Sequence, residues 1–95
     1  MIAVIATVRT HPGKGGDYVA AFRRLRDIVV SNEPGTLFYD VVQSRNDPDV
    51  YRVIEIFEDQ AAVDLHDKTE WLAKGLEEVK VSIAELDVQY HDTPD

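Results

Sequence analysis

The chain has 95 residues, 18 acidic and 10 basic, and a formal net charge of −8. That length fits one domain, 1–95, with a thin core: about 60–65% of the unfolded chain's surface is buried at this size. The absence of cysteine excludes disulfides, thiolate metal sites and a cysteine nucleophile, and an acidic surface repels a phosphate backbone, which argues against nucleic-acid binding.

The opening MIAVIATVRTHPG is apolar but has no basic region before it and no small-residue cleavage site, so it reads as a strand and not a signal peptide. No apolar run approaches the roughly 20 residues of a membrane helix, and a cytoplasmic location is expected. Residues 2–9 alternate, with Ile2, Val4, Ala6 and Val8 on one face. Residues 15–32 follow a helical period in which Tyr18, Ala21, Phe22, Leu25, Ile28 and Val29 share a stripe. Arg23, Arg24 and Arg26 take the wet side. Glu33-Pro34-Gly35 is a helix stop. Residues 36–44 and 50–57 form a hairpin around the turn RNDPD.

Residues 60–83 are helical, but one rod would turn Trp71 to the wet side of a stripe made by Ala62, Leu65, Thr69, Leu72, Leu76 and Val79. Exposing the largest apolar side chain would forfeit its burial energy. The pattern therefore predicts a break near Lys68–Thr69, with Asp67 and Glu70 at capping-box spacing. A last strand covers about 85–91, and the closing DTPD reads as a frayed polar tail. The order β-α-β-β-α-β predicts an α+β, ferredoxin-like fold with a four-stranded antiparallel sheet.

Both sheet faces are apolar. One set comprises Val4, Ala6, Val8, Leu37, Tyr39, Val41, Tyr51, Val53, Phe57, Leu86 and Val88, interrupted by Glu55; the other includes Ile5, Phe38, Val42, Val50, Ile54 and Ile56. Two helices cover one face only. A homodimer through the other face is the expected remedy, because monomers avoid large apolar patches.

The run EPGTLFYDVVQSRNDPDVYRVIEIFEDQAAVDLHDKTEWL, Glu33 to Leu72, resembles the antibiotic biosynthesis monooxygenase (ABM) domain. The resemblance rests on the EPG stop, Tyr39, Asp47-Pro48 in the turn, Glu55, His66 and Thr69. It implies a dimeric α/β barrel of two ferredoxin-like protomers with their sheets face to face. It also implies a small-molecule oxidoreductase, a monooxygenase acting on a phenol, quinol or enolisable substrate, with molecular oxygen as co-substrate and no metal, flavin or haem. Two departures stand out. Quinone-forming relatives place an asparagine and a tryptophan where Val53 and Phe57 stand, and haem-degrading relatives place a histidine where Leu76 stands.

The candidate site follows from Glu55. On a face turned to the helices it is a carboxylate among apolar side chains, which needs a partner or keeps its proton. His66, on the following helix, is that expected partner. Imidazole, with an ordinary pKa near 6.5, suits proton abstraction at neutral pH, so His66 is expected as general base and Glu55 as its orienter. The same pair reads equally as a polar tie of helix to sheet. Tyr39 or Tyr51 would bond a substrate carbonyl, and Val53, Phe57, Trp71 and Phe22 would wall the pocket or simply fill the core. His11, His66 and His91 lie on different elements, so no metal site is expected. Two other readings remain: a dimeric binder that sequesters a small hydrophobic metabolite, and an ancillary subunit whose pocket is filled by its own side chains.

Overall fold

The β-branched N-terminal run forms β1, Ile2–Thr10, in a computed structural model that describes residues 1–94. Then come α1 (Gly15–Asn32), β2 (Thr36–Gln43), β3 (Val50–Phe57), α2 (Gln60–Asp67), α3 (Glu70–Val79), a 3-10 turn at Lys80–Ser82 and β4 (Ile83–Asp92). The sheet is antiparallel in the order β2-β3-β1-β4. This is the ferredoxin-like α+β arrangement that the sequence predicts.

Register fixes the two faces. Val4, Ala6 and Val8 pair with Glu55, Val53 and Tyr51 on one side and with Tyr90, Val88 and Leu86 on the other. This inner face packs under α1, where Tyr18, Ala21, Phe22, Leu25 and Val29 are buried. Ile28, expected on that stripe, is exposed. Leu37 is also exposed. A register shift between Thr36 and Phe38 makes it an extra residue, so Thr36 pairs with Phe57 and Phe38 with Ile56. Simple alternation counted back from Tyr39 misses a bulge of this kind.

The helical break falls where the pattern predicts, between α2 and α3, but its cap differs. Thr69, not Asp67, is the N-cap of α3. Its Oγ1 accepts from the Leu72 N–H (3.3 Å) and donates to the His66 carbonyl (2.9 Å). Asp59 caps α2 through the Ala62 N–H at 2.9 Å. On α2 the buried side chains are Ala62, Val63 and His66, while Leu65 is exposed; on α3 Leu76 is exposed as well. At the C-terminus Asp92 closes β4, and the Thr93 N–H donates to the Met1 carbonyl at 3.0 Å. The start of the expected frayed tail is therefore tied down; Asp95 lies outside the described residues. No helix is long and apolar enough to cross a membrane among the described residues.

Because Thr69 closes one helix and opens the next, Thr69→Ala should cost about 1–2 kcal/mol, read as a lower urea midpoint with an unchanged slope. Thr69→Ser should restore most of the loss.

Candidate functional site

Glu33, just past the end of α1, is only 2% exposed, yet three donors meet its carboxylate. Thr36 Oγ1 donates to Oε1 (2.9 Å), Trp71 Nε1 donates to Oε2 (2.7 Å), and His66 Nδ1 lies 2.8 Å from Oε1. An ionised carboxylate only accepts, so Nδ1 is the nitrogen that carries the hydrogen. His66 Nε2 is thereby turned toward β3, where it lies 3.7 Å from Glu55 Oε1. The imidazole is 3% exposed and is packed between the rings of Tyr39 and Phe57, each with its centroid 5.2 Å away.

Glu55 sits in the middle of the inner face, between Val4 of β1 and Tyr39 of β2. Burial, reinforced by the charges of Asp67 and Glu33, pushes its carboxyl up to about 8. It is the one carboxyl side chain on the wall of a cavity of about 190 Å³ between helices and sheet. Phe22, Tyr39 and Val53 share that wall, as do Tyr18 and Leu76. Leu86 and Val88 of β4 line it too and are each about half exposed.

The sequence-expected residues therefore separate. Tyr39, Val53, Phe22 and Glu55 line the cavity. His66 stands behind Glu55, and its orienting carboxylate is Glu33, not Glu55. Trp71 is a clamp on Glu33, and Phe57 backs His66. Tyr51 faces a different cleft, near Gly15 and Gly16, and its hydroxyl accepts from Gln43 Nε2 at 3.2 Å. Sequence reasoning missed Glu33 and Tyr18. Glu33 had a readable signal: an acid at a helix C-terminus opposes the macrodipole and needs donors from elsewhere. No group of three His, Cys, Asp or Glu side chains among the described residues is placed to hold a metal ion.

A raised carboxyl pKa makes a signed statement about stability. Glu55 is protonated in the folded chain up to about 8, against 4.5 for a free side chain, so the folded state binds the extra proton between those values. Its contribution to stability is complete at low pH and is lost as pH rises through that window. Denaturation titrations should show this decline in the wild type, and Glu55→Gln should flatten it.

Comparison with known proteins places the chain in a family. The family model described as antibiotic biosynthesis monooxygenase matches residues 1–77. A Caulobacter crescentus protein provisionally named an antibiotic biosynthesis monooxygenase superposes with a TM-score of 0.93 at 27% identity, over 99% of this chain and 90% of that one. A second solved structure, named antibiotic biosynthesis monooxygenase, gives 0.86 at 26% identity over 100% of both chains. A conserved protein of Methanosarcina mazei shares the fold, with a TM-score of 0.91 at 18% identity over 98% of this chain and 92% of that one. No curated protein matches the chain.

Proposed function

Because the chain belongs to the antibiotic biosynthesis monooxygenase family, we propose that it oxidises a phenol, quinol or enolisable small molecule with molecular oxygen and no further cofactor. The observation that carries this reading is Glu55, an acid at the wall of an apolar cavity with a clamped imidazole 3.7 Å behind it. A carboxyl raised to about 8 is a stronger base when ionised than an ordinary one, and so better matched to a phenol or enol proton. In this reading Glu55 takes the substrate proton, His66 receives it or stores it, and Glu33 holds the imidazole in the competent tautomer.

The chemistry balances without another reductant. The substrate anion passes one electron to oxygen, and the two radicals combine into a carbon-bound peroxide anion, which takes back the proton the base removed and becomes a hydroperoxide. Base then removes the proton on that carbon as the O–O bond breaks, and the departing hydroxide takes up a proton. Phenol and O2 thus become quinone and water. The apolar wall keeps bulk water away from the anion.

The working unit in this proposal is a homodimer. Ala3, Ile5, Phe38, Val42, Ile54 and Ile56 lie on the sheet face opposite the helices by register, and Phe38 and Val42 are each about half exposed. A second copy laid face to face would cover them. Light scattering should give twice the chain mass for the wild type, whereas Ile54→Lys should give a folded monomer; a monomeric wild type rules the dimer out.

Oxygen-electrode screening against hydroquinones, phenols and enolisable ketones tests the reaction. We expect one O2 consumed per substrate and a kcat/KM that rises with pH to a plateau above about 8. Glu55→Gln should lower kcat/KM by about 10²–10⁴-fold. Ligand binding with no uptake from any substrate would favour the sequestering reading instead.

A further inference from the structure

Tyr18 and Tyr39 are 1% and 5% exposed, and both line the cavity beside Glu55. Buried tyrosine hydroxyls ordinarily find a partner inside the protein. Among the described residues neither of these two does, and the only side-chain polar atom there that is both unpartnered and sealed from any space is Thr10 Oγ1. The tyrosine hydroxyls therefore keep contact with open space, and for side chains this buried that space is the cavity. Burial and the nearby charge of Glu55 raise the pKa of both, so both remain neutral O–H donors throughout the working range.

We propose that the Tyr18 and Tyr39 hydroxyls form a two-donor clamp for one oxygen of a single-ring hydroxylated or carbonyl compound. An apolar cavity of about 150 Å³ holds benzene. At about 190 Å³, this one takes a substituted six-membered ring but not three fused rings. The ring stacks among Phe22, Val53 and Leu76, its clamped oxygen lies near Glu55, and any tail leaves past Leu86 and Val88. Two neutral donors on an oxygen that becomes negative strengthen their hydrogen bonds as charge develops. Tyr18 is thus assigned a ligand contact that its place on an ordinary amphipathic stripe conceals.

The clamp occupies the cavity of the oxygenase reading and shares its substrate class, but its test needs no turnover. Anaerobic calorimetry compares phenol with toluene, in which a methyl replaces the hydroxyl, and uses a hydroxyanthraquinone as competitor. Phenol should bind the wild type at least tenfold tighter than toluene. Tyr18→Phe and Tyr39→Phe should each weaken phenol about tenfold and leave toluene unchanged. Neither variant should lose stability, since neither hydroxyl has a protein partner to lose. Equal affinity for phenol and toluene, no phenol binding at all, destabilised phenylalanine variants, or a hydroxyanthraquinone that competes as well as phenol would each overturn the clamp. If the expected pattern appears while no substrate consumes oxygen, the clamp stands and the oxygenase reading falls.

Discussion

One buried carboxylate organises this molecule. Glu33 lies at the corner between α1 and β2, and it accepts from Thr36 at the start of β2, faces His66 of α2 and accepts from Trp71 of α3. An uncompensated carboxylate in that position would cost several kcal/mol, and the negative end of α1 adds to the cost. Three donors offset it, and each comes from a different segment. The carboxylate thus ties three segments to one point, and displacing any one of them leaves it a donor short in a buried position.

The same carboxylate shapes the surroundings of Glu55 on β3. By fixing the hydrogen on Nδ1 it leaves Nε2 of His66 directed at Glu55, and its charge adds to the burial that keeps Glu55 protonated. A single line of side chains, Glu33 to His66 to Glu55, thus leads from the helix corner to the cavity wall. The two ring nitrogens of His66 face different carboxyl groups: Nδ1 serves the tie to Glu33, and Nε2 faces Glu55, the contact on which the proposed proton transfer depends.

Much of this was legible in the sequence, for reasons that can be named. Alternation and helical period give the element order, and the burial demand of Trp71 gives the break before α3. Glu55 stands out as the one acid on an apolar strand face, and His66 as its neighbour on the next helix. Other features depend on geometry that no period encodes. The bulge at Leu37 adds one residue to β2 and resets its faces. Glu33 is hidden because a helix stop needs only Pro34 and Gly35 to explain it. Tyr18 is hidden because it belongs to a regular buried stripe, and only the three-dimensional arrangement reveals that its hydroxyl has no partner among the described residues.

One small residue shapes the packing of the helix pair above the cavity. A Cβ on Gly75 would lie 2.6 Å from a methyl carbon of Leu25, so a larger residue there would force the Leu25 side chain, buried between α1 and α3, to shift. Glycine within a helix costs about 1 kcal/mol relative to alanine, and here that close packing is the compensation. The cavity lies between that helix pair and the sheet, walled by Phe22 of α1, Leu76 and Val79 of α3, and Leu86 and Val88 of β4. Leu86 and Val88 are about half exposed, so the β4 edge is where the cavity meets the surface.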